Sequence, residues 1–252
     1  MNTATKESLS KVPEVTLVFW IIKILATTLG ETGGDAVSMS MDLGYLLSTG
    51  IFAVIFMLAV AAQMASKAFH PLTYWVTIIA TTTLGTTLAD FADRSLGIGY
   101  AGGSALLFTL LILSLYSWHL SLGSIAVSTV STPKSEVFYW VTIMFSQTLG
   151  TALGDWVADT EGFGYLASAI IFSGLLAVIA LAYYKTAISR TLLFWSAFIL
   201  TRPLGAVVGD FLDKPLSQGG LELSRYSATA ALLLLIVLFA TVFKQKAARN
   251  VH

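Results

Sequence analysis

Hydrophobic positions along this chain form long, nearly unbroken runs separated by short polar breaks. No charged residue occurs between Ile51 and Ala65, between Ile98 and Pro133, or between Ser227 and Val242. A membrane-crossing helix needs roughly 20 mostly apolar residues at about 1.5 Å each. The pattern predicts eight such helices, near 14–38, 43–66, 71–92, 98–122, 135–158, 163–185, 190–212 and 224–244. The breaks hold residues that interrupt helices: Asp42-Leu43-Gly44, His70-Pro71, Arg94 to Gly99, Thr132-Pro133, Gly162 to Gly164, and Lys214 to Gly220. The expected fold class is all-α, a polytopic protein forming one membrane domain over residues 1–252.

The eight segments are four copies of one unit. Aligned on Trp20, Trp75, Trp140 and Trp195, a Leu-Gly pair follows at a fixed distance and ends on Gly30, Gly85, Gly150 and Gly205. A small residue and an aspartate come next, the aspartates being Asp35, Asp90, Asp155 and Asp210. The motif reads W-x8-L-G-x3-[GA]-D, and three copies add Gly-Tyr at a common offset: Gly44-Tyr45, Gly99-Tyr100 and Gly164-Tyr165. The repeats span about 14–68, 69–130, 134–187 and 189–245. Two helices per copy make successive copies enter the membrane in the same direction, as parallel helical hairpins rather than inverted repeats.

Composition supports this picture: 56% of the 252 residues are hydrophobic and 11% charged, against about 25% charged in a soluble domain. Zero formal net charge gives no basic surface for nucleic acid, and the absence of cysteine removes disulfides and thiolate chemistry. Lys6, Lys11, Lys67, Lys134, Lys185, Arg190, Lys244, Lys246 and Arg249 fall on one side, and Arg94, Lys214 and Arg225 on the other. The positive-inside rule makes the first side cytoplasmic, with both termini there. The polar stretch from Met1 to Pro13, with Lys6 and Glu7, reads as a cytoplasmic tail. The repeat tryptophans then act as interfacial belt residues, and the aspartates lie roughly 22 Å deeper, toward the external end.

A carboxylate inside a membrane costs at least ~2.5–3.5 kcal/mol, so Asp35, Asp90, Asp155 and Asp210 suggest a polar interior. The plainer alternative is helix-end capping at the outer interface. Glu31 lies one turn from Asp35 on the same face, with Thr27 and Thr28 a turn below. Lys23 is a candidate tethered counter-ion for Glu31, or else a snorkelling residue. The positions equivalent to Glu31 are Thr86, Thr151 and Ala206; Gln147 and Thr148 fill the turn below in copy three. Copy four has Arg202-Pro203, where Pro203 should kink the helix and Arg202 should neutralise a repeat aspartate. Asp42, Asp93, Asp159, Glu161, Asp213 and Glu222 make an acidic external mouth, and Asp90 with Arg94 has the spacing of a simple helix pair. Oxygen ligands suit hard cations, whereas His70, His119 and His252 do not cluster in sequence.

The repeated motif resembles that of a family of uncharacterised bacterial repeat-containing membrane-anchored proteins, which implies residence in a bacterial inner membrane. Glu31-Thr32-Gly33-Gly34-Asp35-Ala36 is similar to the Glu-x-Gly-Asp-[Lys/Arg]-[Ser/Thr] signature of GDT1-type cation/proton exchangers, with one extra residue and no basic-hydroxyl end. That resemblance implies Mn²⁺ or Ca²⁺ moved against protons. The leading expectation is a secondary transporter or exporter of a divalent cation, Mn²⁺ favoured and Ca²⁺ or Mg²⁺ next, coupled to protons. Glu31, Asp35, Asp90, Asp155 and Asp210 are its expected ligands, supported by Lys23, Thr27, Thr28, Gln147 and Arg202. No cofactor is expected. The expected partners are the cation, protons and lipid, and self-association is left open. The alternatives are a non-transporting membrane scaffold or anchor and, last, an intramembrane hydrolase using Glu31 and Asp35; no enzymatic activity is expected.

Overall fold

The computed structural model describes residues 10–160 and 162–248, without the side chain of Thr160. Lys6, Glu7, Glu161, Arg249 and His252, named above, lie outside the described residues. Among the described residues there are eight α-helices and no strand: α1 Leu17–Asp35, α2 Gly44–Ala65, α3 Pro71–Asp90, α4 Tyr100–Leu122, α5 Pro133–Asp155, α6 Gly164–Lys185, α7 Arg190–Asp213 and α8 Arg225–Val242. Three odd-numbered helices continue past their aspartate into a π-helical turn, at Ala36–Ser40, Phe91–Ser95 and Trp156–Thr160. Such turns are frequent at functional sites. The repeated Gly-Tyr pairs open the next helix, with Gly44, Gly99 and Gly164 at φ of 70°, 73° and 72°, a conformation that favours glycine.

The odd helices form an inner ring in the order α1, α3, α5, α7, closed by α7 against α1. The even helices lie outside it. The hairpin expectation needs correction here: α2 packs on α3, α4 on α5, α6 on α7 and α8 on α1. Each even helix therefore covers the following copy, and the last returns to the first. Three short aspartate-end connections and the cyclic order produce this interleaving.

Aromatic residues close the tryptophan end of the ring in the same cyclic order. Phe19 packs on Trp75, Tyr74 on Trp140, Tyr139 on Trp195 and Phe194 on Trp20, with ring centroids 5.5, 5.8, 6.2 and 5.9 Å apart. Tyr74 and Tyr139 share a buried hydroxyl contact of 2.6 Å. Trp75, Trp140 and Trp195 are thus core residues rather than a lipid-facing belt. Beyond them, the chain near Ser10–Pro13, Ser124–Val130 and Gln245–Ala248 covers this end. Lys11 pairs there with Glu136 at 2.7 Å, and the indoles of Trp75 and Trp195 donate to Gln245 and to the Ile125 carbonyl.

Among the described residues, six helices are long and apolar enough to cross a membrane: α1 with its π turn, α2, α4, α6, α7 and α8. The other two, α3 and α5, are long but rich in threonine, serine and glutamine, and their polar side chains are buried in the ring. The outer surface is the reverse, with Leu46, Leu58, Leu120, Ile170 and Leu234 exposed on the even helices.

Candidate functional site

The motif glycines explain how a polar axis fits between close-packed helices. A Cβ added to Gly30 would meet Thr82; on Gly85 it would meet Gln147, on Gly150 Arg202, and on Gly205 Thr27. Each motif glycine therefore receives the side chain seven residues after the tryptophan of the next copy. One turn on, Gly34 receives Thr86, Gly154 receives Ala206 and Gly209 receives Glu31. Small residues spaced by four let the backbones approach, and the threonines use that closeness. Thr82 donates to the Ala26 carbonyl at 3.2 Å, Thr86 to that of Gly30 at 2.9 Å and Thr27 to that of Thr201 at 3.1 Å.

The axis is layered. Thr27, Thr82, Gln147 and Arg202 form one level. Glu31, Thr86, Thr151 and Ala206 form the next, and the four repeat aspartates a third. Arg202 is fully buried and joins the first two: its Nη2 reaches Glu31 Oε2 at 2.9 Å and the hydroxyls of Thr86 and Thr151 at 2.6 Å each. Copy four thus reaches the equivalent position of all three other copies. The expectation that Arg202 neutralises an aspartate is corrected: its partner is Glu31, which lies one turn nearer. Pro203 lies inside α7 with its ring against Gly150, and the helix runs on to Asp213. Gln147 is fully buried, and neither side-chain polar atom has a hydrogen-bond partner among the described residues.

Lys23 does not pair with Glu31 and does not snorkel. It is fully buried, donates to Thr201 Oγ1 at 3.3 Å and lies 4.2 Å from the Phe198 ring centroid. The Trp20 end of α1 is covered, so the ammonium turns across the ring instead. Thr28 returns its hydroxyl to the Ile24 carbonyl and belongs to its own helix.

The four aspartates are buried at the far end of the ring, each at most 2% exposed, which sets aside capping in open water. Two bridging cations divide them. Arg94 reaches Asp90 at 2.8 Å and Asp155 at 3.2 Å; Lys214 reaches Asp210 at 3.0 Å and Asp35 at 2.8 Å. In both cases the cation stands four residues after its own aspartate and bridges to the next copy, so the fourfold repeat carries a twofold charge pattern. Glu31 joins one half only: single oxygens of Glu31, Asp35 and Asp210 lie within 4.8 Å of one another. Asp35 Oδ1 is buried there without a hydrogen-bond partner among the described residues. Of the acidic mouth, Asp93 and Asp213 are buried, the latter held by Arg225 at 3.1 Å, while Asp42, Asp159 and Glu222 are exposed.

The pairing of Arg94 with Asp90 is the one the spacing suggested, but the reach of Arg94 to Asp155 and the inward role of Lys214 escaped sequence reasoning. Both residues look like loop charges on the side where basic residues are scarce; the available signal was their identical offset from Asp90 and Asp210. Burial of Lys214 opposes its charge, but Asp210 and Asp35 outweigh that and raise its pKa above the ordinary lysine value.

The family model described as Repeat of Unknown Function (DUF347) matches at residues 18–69, 73–123, 138–189 and 193–247. The chain belongs to this family. The four DUF347 matches coincide with the four structural copies, each running from the start of an odd helix to the end of the following even helix. No curated protein and no solved structure matches the chain. Compared with one another, the four copies of this DUF347 protein differ at Glu31 and Lys23 in copy one, Arg94 in copy two, Gln147 in copy three, and Arg202 and Lys214 in copy four.

Proposed function

We propose that this protein crosses a bacterial inner membrane with all eight helices, both ends on the cytoplasmic side, and exchanges a divalent metal cation for protons. The apolar exterior and polar interior support the membrane setting, because lipid tolerates neither unpaired backbone nor outward charge. In that setting α3 and α5 cross inside the ring, shielded by their neighbours. The basic bias of the tryptophan end supports the orientation.

The observation that carries the transport reading is the convergence of Glu31, Asp35 and Asp210 on one buried point of the axis. Hard oxygen donors favour Mn²⁺, Ca²⁺ or Mg²⁺, and the short likeness to GDT1-type exchangers favours Mn²⁺. Carboxylates this close repel when ionised, so they gain either a cation or a proton. That competition is the physical basis of exchange. Asp90 and Asp155, linked by Arg94, would carry protons beside the site. Arg202 would hold Glu31 in place, and Lys23 and Gln147 would continue the polar axis toward the aromatic closure.

A scaffold reading also has a specific observation behind it: Glu31 and all four repeat aspartates already have a basic partner. Metal binding separates the two. Purified protein is expected to bind Mn²⁺ by titration calorimetry, and Asp35→Asn or Asp210→Asn to weaken binding about tenfold or more while remaining folded. A scaffold would bind no divalent cation and would show the substitutions only as lost stability.

A further inference from the structure

Lys214 stands inside the candidate cation site rather than beside it. Its ammonium lies 2.8 Å from Asp35 and 3.0 Å from Asp210, two of the three converging carboxylates. Its counterpart Arg94 occupies the equivalent place in the other half of the ring, yet the two are anchored differently. The Arg94 guanidinium lies 5.7 Å from the Tyr100 ring centroid and bridges its carboxylates through separate nitrogens. Lys214 binds both of its carboxylates through one point charge, without a described aromatic partner. A planar fork on an aromatic ring is a fixed element; a compact ammonium on a flexible stem is a replaceable one.

The surrounding backbone lets the side chain move alone. The Lys214 amide donates to the Asp210 carbonyl at 2.9 Å, and the Glu222 amide donates to the Lys214 carbonyl at 3.0 Å. Gly220 lies against the Lys214 main chain so closely that a side chain there would not fit. The main chain is thus held while the side chain, 10% exposed, reaches Asp35 and Asp210 at the aspartate end. Arg225, the other nearby cation, is 3.8 Å from Asp35 but 3.1 Å from Asp213, which balances its charge.

We propose that Lys214 is a specificity-determining residue: a tethered ammonium that holds the Glu31–Asp35–Asp210 site against monovalent cations and yields it to a divalent one. This rests on the cation-transport reading above. With the three carboxylates ionised, Arg202 offsets one of them. The ammonium then leaves a single negative charge. A monovalent ion in its place leaves the same residue of charge and must also break two short ion pairs. A divalent ion neutralises the site. The discrimination therefore comes from charge rather than from cavity size, and Asp35 Oδ1 provides a ligand atom that the lysine leaves unused.

The wild-type protein provides the primary test. Amine acylation read by mass spectrometry reports exposure of Lys214 with no ion added, with Mn²⁺ and with Na⁺ at equal ionic strength. Labelling of Lys214 should rise several-fold with Mn²⁺ and stay level with Na⁺. In a folded Lys214→Met variant, Na⁺ should compete with Mn²⁺ about tenfold or more better than in wild type, a gain of about 1.4 kcal/mol. Lys214→Arg, which keeps the charge, should leave Na⁺ a poor competitor. If Mn²⁺ binds while Lys214 labelling stays flat, or if Na⁺ competition is unchanged in Lys214→Met, the lysine has no such role and the cation site stands without it. If wild type binds none of Mn²⁺, Ca²⁺ or Mg²⁺, the transport reading and this inference fall together.

Discussion

Arg202 shows how one side chain can organise an axis. It is the largest fully buried charged side chain among the described residues, and it gathers Glu31, Thr86 and Thr151 from three copies. Its position seven residues after Trp195 was visible in the sequence, and so was Glu31 as the odd acid of copy one. Their pairing was not, because it depends on a neighbouring helix of the ring and on the glycine that admits the arginine stem. Removing one member of a buried pair leaves an uncompensated charge, at a cost of about 3–5 kcal/mol. Arg202→Met should therefore destabilise the protein strongly, while Arg202→Met with Glu31→Gln should recover much of the loss. Thermal unfolding of the single and double variants in detergent measures this; equal losses in both would mean that the pair is not coupled.

The glycine-containing faces decide the element scale. Gly30, Gly85, Gly150 and Gly205 each receive a polar side chain of the next copy, so close packing and the polar axis are built by the same contacts. Overpacking such a contact costs typically about 1–3 kcal/mol. Gly150→Ala should fall at the upper end, since its neighbours are Arg202 and the Pro203 ring. Gly174→Ala on α6, where nothing lies within 4 Å, should be neutral or slightly stabilising. A melt in which both substitutions behave alike would contradict the close-approach explanation. Helix positions themselves were legible to within a few residues, because apolar runs and breakers mark them. The π turns after Asp35, Asp90 and Asp155 were not, because a one-residue change in helical winding leaves no compositional trace.

At the scale of the molecule, the fourfold repeat was plain in the sequence, but its assembly was not. Spacing alone cannot say whether an even helix folds back on its own partner or covers the next copy. The packing of the last even helix on the first copy is directly testable because the chain has no cysteine. Thr229 on α8 donates to Thr32 on α1 at 2.8 Å, within the range that brings two Cβ atoms to disulfide separation of about 3.5–4.5 Å. Thr32→Cys with Thr229→Cys should cross-link within one chain under mild oxidation, seen as a joined peptide by mass spectrometry. Failure to cross-link in folded protein would argue against the return of α8 to copy one. Apolarity likewise marks six helices among the described residues as sufficient to cross a membrane, because α3 and α5 carry many buried polar side chains.

The charge pattern of the whole ring leads to one decisive experiment. Protein reconstituted into vesicles with a trapped pH-sensitive dye should show proton movement opposite to an imposed Mn²⁺ gradient. That flux should fall about tenfold or more in Glu31→Gln and in Asp35→Asn, with correctly folded variants in the same vesicles. No Mn²⁺-, Ca²⁺- or Mg²⁺-dependent proton movement in wild type, or undiminished flux in both variants, would contradict cation exchange at this site.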